Sequence, residues 1–237
     1  MGTGITVTVT LEPTNFLDSG DSGFLTNNYE LATGATGTFG EITRTLLAVA
    51  LVPTISKVYD GNTNATLGPT NYIFSGFILS ETCTVTKTNG FYASKDVGTG
   101  ITVTVTLSPT NFSDYGDSGF LTNNYALAGC ATGAVGEITR TLLAASLVPT
   151  ISKVYDGNTN ATLGPTNYTF VGLISGETCT VTKTTGFYDS KNVGTLIGVT
   201  VTLVSSNFSD YGTSGFLTNN YAPVSYTHLT LPTKRIV

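Results

Sequence analysis

The sequence is poor in the residues from which most catalytic and metal sites are built. Its 237 residues include no tryptophan, one histidine, one methionine and three cysteines. Zinc sites, disulfide frameworks and nucleophile-base pairs need histidine or cysteine in spacings that do not occur here. P-loop, HExxH and GxSxG motifs are also absent from the sequence. We therefore expect that the protein is not an enzyme and needs no cofactor.

Charged residues and long apolar runs are scarce as well. Charged residues make up 11% of the chain, and the formal net charge is −5. No basic cluster precedes the last few residues, so nothing would neutralise a phosphate backbone or an anionic membrane surface. No apolar run approaches the roughly 20 residues that span a bilayer. We expect neither a nucleic acid partner nor membrane insertion.

What the sequence does contain is a long internal repeat. The stretch SKVYDGNTNATLGPTNY begins at Ser56 and again, letter for letter, at Ser152. A shift of 96 residues aligns the chain with itself without a gap, which indicates a tandem array. We expect the C-terminal half of a truncated repeat over residues 1–46, a complete repeat over 47–142, and a repeat lacking its last strand over 143–223.

Both ends of the sequence look unlike natural ends of this repeat. Met1 falls where Val97 and Val193 stand in the other copies, and a GTG valine codon can be read as a start. We therefore expect Met1 to be an internal valine. The last residues, VSYTHLTLPTKRIV over 224–237, resemble a translated sequencing adapter, and we exclude them from functional reasoning as an artefactual tail.

Within one repeat, the apolar pattern has the period of a β-strand. The run ITVTVTL from Ile101 alternates apolar residues with threonine, as a half-buried strand does. No segment sustains the helical period of 3.6, and turn residues such as Asp60-Gly61 separate the apolar runs. We predict an all-β fold of tandem immunoglobulin-like β-sandwich repeats, each with six or seven short strands. The seam ITRTLLAASLVP has no flexible linker, so consecutive repeats should abut with limited freedom.

Three motifs recur in the same order in the two fuller repeats. A YDG turn is followed by K-D/N-V-G-T and then by NNYA. This order resembles the YDG-type repeats of bacterial surface proteins, including filamentous-haemagglutinin-like adhesins, over residues 1–223. The motif positions are Tyr59, Asp60, Gly61, Lys95 and Gly98, and Tyr155, Asp156, Gly157, Lys191 and Gly194.

The resemblance implies an extracellular or cell-surface location and a structural role. Our leading interpretation is a stalk or spacer of an exported bacterial adhesin or surface fibre. Host or cell-surface glycans or proteins would then be bound by other parts of the full chain. The alternative is a glycan- or protein-binding β module that uses exposed Tyr, Asn and Asp side chains, for example Tyr115, Asn123, Asn124 and Tyr125. A glycosidase with paired carboxylates is a third interpretation, disfavoured because a small β unit offers no deep cleft.

Two loops have the oxygen-rich composition of a calcium site. Asp60, Asn62 and Asn64 alternate as calcium-loop ligands do, but the sixth and twelfth positions are Ala65 and Asn71 instead of Gly and Glu. We favour a turn in which Gly61 has a positive φ, Asp60 accepts backbone hydrogen bonds and the first hairpin begins.

The second candidate loop contains Asp114 and Asp117, three residues apart. Asp18 and Asp21 form its copy in the first half-repeat, whereas Thr213 replaces the second aspartate in the last repeat. A solvated turn is again favoured over a calcium site.

Two of the three cysteines occupy equivalent positions. Cys83 and Cys179 should each lie inside their own domain as small apolar residues. Cys130 has no counterpart, and a Cys83–Cys130 bridge stays open as an alternative.

Overall fold

The computed structural model describes residues 2–20, 22–148 and 151–225. Within these residues the protein consists of strands joined by turns and by 3-10 turns of three residues each, without an α-helix. The predicted all-β class is confirmed. In the same ranges, no helix is long and apolar enough to cross a bilayer.

The strands are short, as the dense turn signals predict. In chain order they are β1 Gly2–Thr10, β2 Gly34–Ile42, β3 Thr45–Leu51, β4 Ile55–Val58, β5 Asn64–Thr66, β6 Tyr72–Ser75, β7 Cys83–Val85, β8 Asn89–Tyr92, β9 Gly98–Thr106, β10 Phe112–Asp114, β11 Tyr125–Leu127, β12 Cys130–Thr139, β13 Thr141–Leu147, β14 Asn160–Thr162, β15 Tyr168–Val171, β16 Cys179–Val181, β17 Thr185–Tyr188, β18 Val199–Thr200, β19 Phe208–Asp210 and β20 Tyr221–Ser225. The 3-10 turns are Pro13–Asn15, Thr26–Asn28, Pro69–Asn71, Pro109–Asn111, Thr122–Asn124, Pro165–Asn167, Ser205–Asn207 and Thr218–Asn220.

The chain forms two compact units. The first comprises residues 1–49, 74–86 and 107–129. It contains the antiparallel pair β1–β2, the antiparallel pair β7–β10 and the parallel pairing of β11 with β3. Its aromatic cluster stacks Phe120 on Tyr125, with ring centroids 5.0 Å apart, and places Phe77 edge-on to both.

The second unit comprises residues 50–73, 87–106 and 130–237. Its largest sheet has the strand order β4-β12-β9-β8-β5. Strand β12 runs parallel to β4 and antiparallel to β9. The smaller sheets further along the chain are β15-β13-β20, β14-β17-β18 and β16-β19.

The period-two prediction for β9 is confirmed. Val103 and Val105 are fully buried and Leu107 is nearly so, whereas the threonines between them are exposed. Apolar side chains on one face of the strand therefore contribute to the core, each by roughly 1.5–3 kcal/mol.

Two details of the predicted repeat are wrong. Ten strands, β3 to β12, lie between residues 45 and 139, where we expected six or seven, because strands of three residues such as β5 and β10 also form in segments that read as turns. The turn at Asp60-Gly61 also does not begin a hairpin. Strand β4 pairs with β12 and β5 pairs with β8, so the two strands beside the turn lie on opposite edges of the sheet.

Candidate functional site

The YDG turn is closed by a lysine. Lys57 Nζ donates to Asp60 Oδ1 at 2.6 Å, to the Asn62 carbonyl oxygen at 2.7 Å and to Asn62 Oδ1 at 3.1 Å. Gly61 has φ 79°, and the Asn62 amide donates to Asp60 Oδ1 at 3.2 Å, so the predicted positive φ and backbone bond are confirmed. Burial raises the pKa of Asp60, but the hydrogen bonds from Lys57 and Asn62 outweigh it and leave the pKa below its usual value.

The oxygens that suggested calcium in this loop therefore surround a protein cation. Lys153 makes the same contacts with Asp156 and Asn158 in the following repeat, with an Nζ to Asp156 Oδ1 distance of 2.7 Å. Lys57 thus supplies a positive charge beside the Asp60 carboxylate. Calcium binding at Asp60 and Asn62 stays the disfavoured alternative, which a calcium-dependent rise in melting temperature would support.

The second calcium candidate also forms a self-contained turn. The Asp114 carboxylate accepts hydrogen bonds from Ser118 Oγ at 2.6 Å and from the amides of Gly119 and Phe120 at 3.3 Å. The bond from Ser118 is the main cause of a lowered pKa at Asp114. Asp117 lies in the same turn at φ 51°.

The copy of this turn in the first half-repeat has the same pattern of hydrogen bonds. Asp18 accepts bonds from Ser22, Gly23 and Phe24, while its fellow Asp21 lies outside the described residues. Across the described ranges, no three residues among His, Cys, Asp and Glu are grouped to hold a metal ion.

The tyrosine of the YDG turn contacts the following repeat. Tyr59 is only 2% exposed, and its hydroxyl donates to Glu177, which lies 118 positions further along the chain. Its ring packs edge-on to the ring of Tyr221, with centroids 5.7 Å apart at an interplanar angle of 75°. Such tilted aromatic pairs contribute roughly 0.5–1.5 kcal/mol beyond the area they bury.

Glu177 connects both tyrosines with a lysine. Its second carboxylate oxygen accepts from the Tyr221 hydroxyl at 2.7 Å. Lys95 Nζ donates to the Tyr59 hydroxyl at 3.0 Å and lies 3.7 Å from Glu177 Oε1. The Glu177 side chain is 8% exposed, and a carboxylate so deeply buried needs charged or hydrogen-bonding partners of this kind.

The protonation states support the same network. Burial is the main cause of the raised pKa values of Tyr59 and Tyr221, and the bond to the Tyr59 hydroxyl raises the pKa of Lys95. Near neutral pH, both hydroxyls therefore keep the proton that they donate to Glu177, and Lys95 keeps its charge.

A second contact joins the K-D-V-G segment to the NNY segment of the following repeat. Asn220 Nδ2 donates to Asp96 Oδ1, and Asn220 Oδ1 accepts from the Val97 amide, both at 2.9 Å. Asn220 is 1% exposed, whereas its counterpart Asn124 in the middle repeat is exposed. Asn220 is therefore buried where the K-D-V-G segment of the preceding repeat covers it.

The glycine of the YDG turn also lies against the following repeat. A Cβ atom on Gly61 would come within 2.7 Å of Ile174 Cγ2, whereas one on Gly157 would meet nothing within 4 Å.

The chain itself crosses this region without a loop, since β12 ends at Thr139 and β13 begins at Thr141. Arg140, the residue between them, donates from Nε to the Asn219 carbonyl oxygen at 3.0 Å.

We call these contacts of Tyr59, Gly61, Lys95, Asp96 and Val97 with Ile174, Glu177, Asn220 and Tyr221 the junction. It contains three of the five motif positions of the first set, namely Tyr59, Gly61 and Lys95. Gly98 begins β9 beside it. The second set of motif residues is exposed, with Tyr155 at 59% and Lys191 and Gly194 open to solvent.

Sequence reasoning missed the receiving half of the junction. Glu177 and Asn220 were not selected as site residues from the sequence, and their recurrence as Glu81 and Asn124 was the available signal. Tyr125 was proposed as an exposed loop residue, and that is wrong. It is 2% exposed, with its hydroxyl bonded to Glu81 and to the Ile78 amide.

The cysteines are free thiols in the structure. Cys83 and Cys179 are buried, as predicted, and burial raises the pKa of each thiol to about 11. Cys130 is exposed, and its bridge to Cys83 is not formed.

These features define a class of protein, namely tandem all-β repeats in which recurrent residues of one copy bind the next. A family model of the YDG domain matches residues 43–132 and 139–227, together more than half of the chain. The chain belongs to the YDG domain family, in two copies. No curated protein and no solved structure matches the chain.

Proposed function

We propose that this chain is a structural repeat, a stalk or spacer in an exported bacterial adhesin or surface fibre, and that it works without catalysis. The proposed fold is an array of immunoglobulin-like β-sandwiches with a period of 96 residues. The proposed location is extracellular or cell-surface, as in the bacterial surface proteins whose repeats the sequence resembles.

The observation that supports this function is the location of the recurrent residues at the contact between two repeats. Tyr59, Gly61, Lys95 and Asp96 all contact the following repeat. Buried hydrogen bonds with defined partners favour one arrangement of two surfaces, since any other arrangement leaves polar groups unsatisfied. A spacer needs such a fixed joint, because its task is to hold another region at a distance.

The stiffness of the joint can be measured by 15N relaxation of the full chain. We expect amides of residues 50–73 and of residues 160–220 to report one common tumbling time. In the Tyr59→Ala variant the two segments should tumble with separate, shorter times, while the matched Tyr155→Ala variant keeps the common time. Separate times in the unmodified chain would contradict the proposal.

The location can be tested on intact cells of the source organism. An antibody raised against residues 47–142 should label unpermeabilised cells, and external protease should remove the label. Labelling that requires permeabilisation would contradict an exported spacer.

A second candidate function is a glycan- or protein-binding module. Tyr115 and its counterpart Tyr211 are 66% and 68% exposed beside the Asp114 and Asp210 turns, so each of the two repeats presents a tyrosine to solvent at this turn. Exposed tyrosines stack on sugar rings while their hydroxyls donate hydrogen bonds. Binding on a glycan array that the Tyr115→Ala, Tyr211→Ala double variant loses would favour this function over a passive spacer.

A further inference from the structure

The first strands of the middle repeat pair in parallel with its last strands. Strand β3 pairs in parallel with β11, and β4 pairs in parallel with β12. In the second of these pairs, Ile55 lies opposite Gly136 and Val58 lies opposite Thr139. Strands that lie between them along the chain, such as β5 and β8, pair antiparallel. Parallel pairing is therefore found where the chain enters the repeat and where it leaves it.

The first strand of the following repeat is paired in the same way. Strand β13 pairs in parallel with β20. Thr141 lies opposite Tyr221, just as Thr45 lies opposite Tyr125 in the middle repeat. The parallel pair and its register are thus a property of the repeat and not of one copy.

An arginine ties each of these first strands to the segment before its partner. Arg44, which precedes β3, donates from Nε to the Asn123 carbonyl oxygen at 3.2 Å. Arg140, which precedes β13, donates in the same way to the Asn219 carbonyl oxygen at 3.0 Å. The two carbonyls belong to the 3-10 turns directly before β11 and β20. Each of these bonds, which we call the arginine braces, adds a charge-assisted link between first and last strand.

The β4–β12 pair has buried bonds beyond its own ladder. Ile55 and Ile138 are 4% and 1% exposed. The Tyr92 hydroxyl donates to the Ile55 carbonyl oxygen at 2.9 Å, and the Tyr59 amide donates to the Thr139 carbonyl oxygen at 2.8 Å. Breaking such bonds is costly, because water cannot replace them until the strands have separated.

Tension on the chain acts along these paired strands. The chain enters β4 at Ile55 and leaves β12 at Thr139, and in a parallel pair these residues lie at opposite ends. Pulling them apart slides one strand along the other, so the hydrogen bonds of the ladder must break together. In an antiparallel hairpin the two free ends lie side by side, and tension breaks the bonds one after another.

We propose that the parallel pairs of first and last strands, with the arginine braces, form a mechanical clamp that keeps each repeat folded when the array is pulled from its ends. Forced unfolding is governed by the rate of unfolding and not by the equilibrium free energy. A repeat of ordinary stability therefore withstands a high force if its entry and exit strands are loaded in shear. The inference deepens the proposed spacer function, on which the need to bear load rests.

Two directions of pulling test the clamp by single-molecule force spectroscopy of the full chain. Both variants carry Cys130→Ser, which removes the exposed thiol, and Thr54→Cys as the first attachment point. The second attachment point, at another exposed residue, is Thr139→Cys, which loads β4–β12 along the strands, or Ala134→Cys, which opens the pair from one end. We expect at least about twofold higher unfolding force along the strands, because four residue pairs then separate together. Equal forces in the two directions would overturn the proposal.

The arginine braces can be tested with the full chain held by its two ends at constant force. The Arg44→Ala, Arg140→Ala double variant should unfold at least about threefold faster, the effect of losing a hydrogen bond on a barrier. The control is Lys87→Ala, Lys183→Ala, an equivalent pair of cations between strands. Equal lifetimes of the double variant and the control would show that the braces are not part of the clamp.

The clamp and the spacer function fail separately. A chain that resists tension along β4–β12 but lies inside the cell would contradict the spacer function and support the clamp. A chain on the cell surface that unfolds equally easily in both directions would contradict the clamp alone.

Discussion

At the residue scale, Glu177 is the centre of the junction, because one carboxylate accepts from Tyr59 and Tyr221 and lies 3.7 Å from Lys95. Its counterpart Glu81 accepts from Tyr125 alone among the described hydroxyls and ammonium groups. The two glutamates therefore offer a matched comparison of the same side chain with and without the hydroxyl of a YDG turn and a lysine beside it.

Removing the negative charge of Glu177 should lower the free energy of unfolding more than removing that of Glu81. Glu177→Gln keeps the size of the side chain but gives Lys95 and two tyrosine hydroxyls a weaker, neutral acceptor. We expect a loss of about 1–2 kcal/mol in the free energy of unfolding, measured by urea denaturation. Glu81→Gln should lose less than half as much. Equal losses would mean that the contacts of Tyr59 and Lys95 with Glu177 contribute nothing.

The Asp114 turn should make stability depend on pH below about 4. Its folded-state pKa is lowered, first by the hydrogen bond from Ser118, so the carboxylate stabilises the fold above the unfolded pKa of about 3.9. That contribution is lost as pH falls through the lowered folded-state pKa. The melting temperature of Asp114→Asn should lie below that of the unmodified chain at pH 7, and the gap should narrow by pH 3. A gap that stayed the same size from pH 7 to pH 3 would contradict this role of the Asp114 carboxylate.

The sequence predicted some of these residue roles and not others. The Asp60-Gly61 turn followed from local chemistry, because aspartate and glycine favour turns wherever they occur together. The recurrence of Glu177 as Glu81 was visible, but its burial could not be predicted, since a glutamate beside a short strand ordinarily faces solvent. Its burial depends on a tyrosine 118 positions away.

At the element scale, the YDG turn has two roles: its glycine adopts a positive φ, and it packs against the following repeat. Equivalent substitutions of Gly61 and Gly157 separate the two roles. Gly61 and Gly157 have φ 79° and 80°, so alanine is strained equally at both. Only at Gly61 would the new Cβ also meet Ile174, at 2.7 Å.

We expect Gly61→Ala to lower the free energy of unfolding by about 1–3 kcal/mol more than Gly157→Ala, the usual cost of overpacking. Urea denaturation of the two variants side by side measures the difference. Identical losses in the free energy of unfolding would show that Gly61 is needed only for the conformation of the turn, and that Ile174 shifts without an energetic cost.

Strand positions were more predictable than strand partners. The alternation of Ile101, Val103 and Val105 predicted strand β9 and its buried face, because this period-two pattern lies within the residues of the strand itself. The pairing of β4 with β12 joins Ile55 to Gly136, and no local pattern encodes a contact across 81 positions. The expected hairpin at Asp60 was wrong for that reason.

At the scale of the whole molecule, the repeats are joined by surface contacts and not by a linker. The absence of a flexible seam was predicted from ITRTLLAASLVP, and the structure passes from β12 to β13 through Arg140 alone. Which side chains make the joint followed only from the structure. Within a single repeat, Tyr59 is an aromatic residue at a turn and Lys95 is a basic residue in a loop. Their partners belong to the following copy.

If the YDG turn of one repeat binds the next, Tyr59 and Glu177 are energetically coupled, and a double-mutant cycle measures that coupling. Tyr59→Phe removes the hydroxyl that Glu177 accepts from, and Glu177→Gln removes the charge, so the two changes should not add in the free energy of unfolding. We predict a coupling of about 0.5–3 kcal/mol between them, and none beyond about 0.5 kcal/mol between Tyr155→Phe and Glu177→Gln. Additivity of Tyr59→Phe with Glu177→Gln to within that same margin would contradict the claim.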